Sequence, residues 1–177
     1  MKQLLNHQQI QLLEDLGLSL RAAVDADAES ILELIFKVLV EFNLELEPKG
    51  IDADLHAIES NYQKNGGILW VIESNHGEIV ATSAVAMLIP GKHVELRKMY
   101  IHANFRKLGL GRLLMELTLA WCKQQKLRKI SLETASVLKS AIELYQQFGF
   151  IEIPLKNNAV RCDRHFEMLL PLSPVNS

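Results

Sequence analysis

The stretch that most constrains this chain lies at residues 93–121. A strand-like run, HVELRKMYI, is followed by HANFRKLGLGR. Apolar residues then recur at helical spacing, at Leu110, Leu113, Leu114, Leu117 and Trp121. Between strand and helix, Arg106, Gly109 and Gly111 form an R-x-x-G-x-G element. A helix N-terminus leaves backbone N–H groups unpaired, and the helix dipole adds partial positive charge there. Glycine lets a bulky anion come close to the backbone. Strand, glycine turn and helix therefore read together as a phosphate cradle. The G-K-[ST] ending of a P-loop and the G-x-G-x-x-G of a dinucleotide fold are both missing, which argues against those two chemistries. A plain glycine-rich turn is the competing reading.

The flanking pattern supplies a fold around this element. Residues 3–16 carry Leu5, Leu12, Leu13 and Leu16 in a weak helical pattern, and residues 18–24 read as a first strand. Asp25 and Asp27 offer cap and first-turn carboxylates to a helix striped by Ile31, Leu34, Ile35, Val38 and Phe42. A loop broken by Pro48 and Gly50 follows. A second helix is expected over 52–62, with Leu55, Ile58 and Tyr62 on one face, stopped at Asn65-Gly66-Gly67. Strands are expected at 68–74, 78–89 and 93–101, the first two joined by the hairpin signal Asn75-His76-Gly77. After the glycine turn and its helix come a strand at 129–134 and a helix at 139–148 carrying Ala141, Leu144, Tyr145 and Phe148. Strands at 150–155 and 161–170, with Asn157-Asn158 between them, close the chain. This order implies an α/β domain with a mixed central sheet flanked by helices.

At 177 residues the chain suits one domain with a full core. The organisation expected is an extension at 1–17, the domain at 18–172 and a flexible tail at 173–177. A net charge of −2 gives no footprint for nucleic acid. No apolar run approaches the ~18–20 residues of a membrane span, so no membrane partner is expected. Two cysteines, Cys122 and Cys162, make no disulfide framework and fit a reducing, cytoplasmic setting. The six histidines lack metal-ligand spacing, so no metal is expected.

VELRKMYIHANFRKLGLGRLLMELTLAW, followed by AIELYQQFGF, resembles the GCN5-related N-acetyltransferase (GNAT) family. The resemblance runs from about residue 18 to 170 and implies the GNAT acyl-CoA N-acyltransferase fold. It implies acetyl-CoA, as acyl donor, and direct attack by an amine on the thioester. Its pyrophosphate would rest on the backbone of Arg106, Lys107, Leu108, Gly109, Leu110, Gly111 and Arg112. Its pantetheine arm would pair with the strand at Met99, Tyr100 and Ile101. Tyr145 matches a tyrosine placed near the sulfur, as general acid for the departing thiolate. Simple core packing is the alternative for Tyr145. The family's frequent asparagine before A-x-x-L-Y is Leu138 here, so that contact is not carried over.

An alkyl amine with a pKa of about 10.4 is neutral in roughly one molecule in 2,500 at pH 7, so a base is needed. Glu95, six residues before Ile101, matches the family's glutamate base in its histone-acetylating branch; pairing with Arg97 is the alternative. Glu41, Glu45 and Glu47 make the first loop acidic, and Arg161, Asp163, Arg164 and His165 stand near the last strand. Either group would read an acceptor's charge or face water. The acceptor expected is a primary amine of a small molecule, amino acid or peptide, with oligomeric state open and a homodimer among the options. A non-catalytic acyl-CoA sensor is the alternative function.

Overall fold

The computed structural model describes residues 4–154 and 161–171. The expected turn at Asn157-Asn158, the end of the strand at 155 and the tail at 173–177 lie outside the described residues. A helix, α1 (His7–Asp15), precedes the first strand, β1 (Leu18–Ala22). Then follow α2 (Ala28–Glu41), the single turn α3 (Ile58–Asn61), β2 (Ile68–Ser74), β3 (Ile79–Ile89) and β4 (His93–Ile101). The chain continues through α4 (Leu110–Gln124), β5 (Lys129–Thr134), α5 (Lys139–Gln147), β6 (Ile151–Ile153) and β7 (Arg164–Leu169). The seven strands form one sheet in the order β1-β2-β3-β4-β5-β7-β6. All neighbours are antiparallel except β4 and β5, which run parallel around the α4 crossover.

Both faces of the sheet are covered, and strand alternation sorts the side chains between them. On one face Leu69, Val71, Ala84 and Ala86 meet the α2 stripe of Ile31, Leu34, Ile35 and Val38. On the other, Trp70, Val85, Val94 and Leu96 meet Met115, Leu117 and Trp121 of α4. Each fully buried aliphatic side chain here contributes about 1.5–3 kcal/mol. The α1 helix starts with a capping box: Asn6 Oδ1 accepts from the Gln9 amide and Gln9 Oε1 from the Asn6 amide, both at 2.9 Å. Its Leu13 joins Leu18, Leu110, Leu113 and Leu114 in a third cluster, which ties the extension to α4.

The sheet parts in its middle. β4 pairs with β5 only through His93–Leu96 against Lys129–Leu132. β4 then runs on to Ile101 with β3 alone, and its register against β3 slips between Ala84↔Arg97 and Thr82↔Tyr100. The slip is a bulge at Lys98, a lysine at φ 51°.

Several expected elements differ. The helix over 52–62 is broken into a 3₁₀ segment (Ala53–Ala57) and α3. Its first two acids are drawn sideways rather than capping: Asp52 turns to Lys98 and Arg161, and Asp54 accepts from the Tyr62 hydroxyl at 2.6 Å. The first strand stops at Ala22, and Asp27 accepts from Arg21 and the Val24 amide instead of capping α2. The last strand begins at Arg164, because Arg161 points inward as a buried ion-pair partner.

Candidate active site

The site stands where β4 leaves β5. Two adjoining pockets open there, one of about 60 Å³ and one of about 260 Å³. The smaller is lined by Met99, Tyr100, Thr134, Leu138 and Tyr145 among others. The larger is lined by Gly50, Ile51, Asp54, Glu95, Arg97 and Glu133 among others. Leu96, Lys98, Arg161 and Cys162 border both, so the pockets share a wall.

The glycine turn, which follows β4, has the shape that its sequence implies. Gly109 sits at φ 91° as the residue preceding α4 and gives the helix no side-chain cap. Any β-carbon there would be strained, and it would lie 3.3 Å from Leu12 Cδ2 of α1. At Gly111 a β-carbon would meet Leu144 Cδ2 at 3.4 Å and Ile101 Cδ1 at 3.5 Å. From Lys107 to Arg112, no backbone N–H donates to another described residue; the first bond of the turn is Leu113 N to Gly109 O at 3.0 Å. These orphan donors, with no carboxylate of their own, fit the pyrophosphate of a coenzyme.

The side chains of this segment have other tasks. Arg106 donates Nε to Ile101 O at 3.0 Å and makes a two-pronged pair with Glu41 at 2.6 and 3.0 Å. It therefore fastens the loop to the end of β4 and to α2, and Glu41 of the acidic loop is spent on it. Leu110 is 1% exposed and anchors the helix in the core, so only its backbone faces the turn. Lys107 and Leu108 are exposed, and Lys107 takes a left-handed φ of 62°. Arg112 lies over the Phe148 ring, 5.2 Å from its centroid.

Tyr145 projects from α5 into the smaller pocket and is 6% exposed. Burial pushes its phenol well above the usual range, and the nearby Tyr100 and Cys162 add to the rise. It stays protonated throughout the neutral range. Tyr100 is pushed up to about 12, also by burial. Burial likewise lifts the Cys162 thiol, to about 11, so it is no thiolate at neutral pH and is ill suited to carry an acyl group.

The larger pocket is built from charges, most of them already paired. Asp52 is fully buried and receives Arg161 through two bonds at 2.7 and 3.0 Å, Lys98 Nζ at 2.9 Å and the Glu47 amide at 3.0 Å. Burial alone would raise its pKa, but Arg161, the Glu47 amide and Lys98 together bring it to about 2. Lys98 also donates to Ile51 O, and Arg161 to Glu45 O at 2.9 Å. The 43–52 loop is thereby fastened over the β4 bulge. Asp54 Oδ1 lies 3.2 Å from Lys98 Nζ, though too poorly aligned for a hydrogen bond. Glu95 accepts from Arg97 Nε at 2.6 Å, so the pairing that its spacing allowed is formed. Glu133 on β5 has no hydrogen bond or ion pair to its side chain among the described residues. Burial first, then the charge of Glu95, raise its pKa, against the pull of His165 and Arg97.

The structure thus brings Met99, Tyr100 and Tyr145 together, places Glu95 in the adjoining pocket, and sets Gly111 of the 106–112 turn against Leu144 and Ile101, the chain neighbours of Tyr145 and Tyr100. Arg161 is bound to Asp52, and Arg164 to Glu152. Sequence reasoning missed Glu133, Lys98 and Asp52. Only Glu133 left a local trace, as the one acid of the alternating strand KISLET.

Comparison with known proteins gives the family. The model of the acetyltransferase (GNAT) family matches residues 32–150. The chain belongs to the GNAT family. It is 30% identical over 146 residues to the uncharacterized N-acetyltransferase YjgM of Escherichia coli K12, covering 80% of this chain and 84% of that one. A GNAT-family acetyltransferase structure from Staphylococcus aureus Mu50 matches with a TM-score of 0.81 and 27% identity, over 87% of this chain and 99% of the other. A phosphinothricin acetyltransferase from Sinorhizobium meliloti, solved in complex with AcCoA, shares the fold at a TM-score of 0.67 and 18% identity, over 87% and 89% of the two chains. This GNAT chain is therefore an acyltransferase enzyme, which decides against the sensor alternative, and its acyl donor is of the acyl-CoA class. No described helix is long and apolar enough to cross a membrane, and no metal-holding cluster occurs among the described residues.

Proposed function

We propose that this GNAT enzyme transfers an acetyl group from acetyl-CoA to a primary amine of a small molecule, amino acid or peptide, in the cytoplasm. The observation that carries the reading is the row of unpartnered N–H groups from Lys107 to Arg112, in a turn whose Gly111 packs against Leu144, the neighbour of Tyr145 on α5. Two free cysteines support a reducing compartment.

Bound acetyl-CoA supplies a thioester carbonyl open to attack and a sulfur leaving group. The 107–112 amides hold the diphosphate, and the free edge of β4 at Met99, Tyr100 and Ile101 orients the arm. Tyr145, kept protonated by burial, offers its hydroxyl to the departing sulfur. The acceptor enters by the larger pocket. Its proton goes to a carboxylate there, and of the three that line it, Asp54 and Glu95 are bound to cations and Tyr62. Glu133 remains, at the wall between the two pockets. We assign it the role of base and give Glu95 that of restraining Arg97.

The test is a screen of amines, amino acids and peptides for CoA release from acetyl-CoA. Amine-dependent release is expected; CoA binding with no acceptor among a broad set would overturn the reading. With one accepted amine, the pH profile of kcat/KM then separates the two glutamates. Activity should fall as pH drops through the raised pKa of Glu133. Glu133→Gln should remove that acidic limb and cost about 10²-fold or more at pH 7. Glu95→Gln should keep the limb and move it to lower pH, because a repelling charge is lost and Arg97 is released. An acidic limb lost in Glu95→Gln but intact in Glu133→Gln would restore Glu95 as the base.

A further inference from the structure

The charges around the larger pocket are unequally spent, and this bears on which amines fit. Three cations border it, and each is taken. Arg97 is held by Glu95 at 2.6 Å, with Asp54 a further 3.7 Å away. Lys98 is held by Asp52 at 2.9 Å and by Ile51 O, and Arg161 by Asp52 and Glu45 O. The last two are nearly closed off, with side chains 5% and 6% exposed. On the anionic side, Glu133 alone is unspent, and it is open to the pocket. The four carboxylates Asp52, Asp54, Glu95 and Glu133 stand against those three cations, an excess of one negative charge.

Resting on the acetyl-transfer reading above, we propose that the acceptor is a cationic amine with no carboxylate next to its amino group, such as a peptide N-terminus, an amino-acid amide or a polyamine, and not a free amino acid. Glu133 receives the ammonium. In a free amino acid the carboxylate sits two bonds from the nitrogen. Docking that ammonium at Glu133 carries the second carboxylate toward Glu133 and Glu95, and each of the three cations that line the pocket is already paired. Repulsion and an unpaired, desolvated anion both work against such a ligand. An amide or peptide bond at that place removes the charge and keeps the shape.

Matched pairs test this directly: free amino acids against their amides, and each amide against the same residue as a peptide N-terminus. In wild type, kcat/KM for the amide should exceed that for the acid by about 10²-fold, after correction for the fraction of neutral amine in each. In Glu95→Gln, which releases the Arg97 guanidinium, the gap should shrink about tenfold. Calorimetric CoA affinity should be the same in both proteins, which keeps the comparison on the acceptor side. Equal rates for acid and amide would overturn the inference while leaving acetyl transfer standing. An unaltered gap in Glu95→Gln would overturn the charge account behind it. No turnover of any amine would overturn both this inference and the acetyl-transfer reading.

Discussion

The two sides of the site are made of different materials. The proposed coenzyme side is backbone: a glycine at φ 91°, a helix start and a run of unpartnered amides between residues 107 and 112. The proposed acceptor side is side chain: Asp52, Lys98 and Arg161 drawn together from three distant parts of the chain and buried. A backbone site depends on local conformation and tolerates changes of most side chains. A side-chain site depends on pairing, so it is exposed to single substitutions and to pH. The difference explains why one side has a short sequence motif and the other has none.

Breaking the acceptor side should have the largest effect. Asp52→Ala leaves Lys98 and Arg161 buried without their anion, and removing one partner of such a group costs about 3–5 kcal/mol. Urea unfolding measures it, and a loss under about 1 kcal/mol would show that the triad is not holding the loop. The same group sharpens the comparison through acid. The folded pKa of Asp52, about 2, lies below its ordinary 3.8. Its contribution is therefore complete above about pH 4 and is lost as pH falls toward 2. Asp52→Ala should show a shallower loss of stability over that interval.

Tyr145 stands between the two sides and comes next. Tyr145→Phe keeps the ring packed against Phe150 and Phe166 and removes the hydroxyl. A fall in kcat of about 10²-fold, roughly 2.7 kcal/mol, is expected with little change in the KM for acetyl-CoA. Full kcat in the variant would make Tyr145 a packing residue only.

The smallest effect belongs to the backbone side. Gly109→Ala places a β-carbon on a left-handed residue and against Leu12, at a folding cost of about 1–2 kcal/mol. CoA affinity should fall about tenfold as the turn shifts, with acceptor discrimination unchanged among the turnovers that remain. Calorimetry reads the first and the amine pairs the second. Undiminished CoA affinity in a folded variant would mean that the glycine serves the turn and not the ligand.

The same contrast governs what the sequence disclosed. The β2, β3, β4 and β5 strands and the α4 stripe follow from periodicity, which is a local signal, and the fold contains them. The broken helix after Asp52 was illegible, because its cause lies 46 residues away at Lys98 and 109 away at Arg161. Likewise, nothing in VELRKMYI announces a bulge at Lys98, since the partners of that left-handed lysine, Asp52 and Ile51 O, lie 46 and 47 residues away. Glu133 was passed over for a different reason. Its importance comes from what its neighbours have already bound, and a sequence does not record which charges remain free.

The parting of β4 from β5 has a mechanical consequence. The two halves of the sheet are joined along only the span from His93 to Leu96. This is a seam, and thermal opening should concentrate there more than in the β2–β3 pair, which is laddered from Ile68 to Glu73 with one irregularity. An extended ligand lying in the gap would act as a splint, lending its own amides to the unfinished ladder. Occupancy would then register as stiffness across the molecule, with hydrogen exchange slowing most in Arg97–Ile101, before any chemistry takes place.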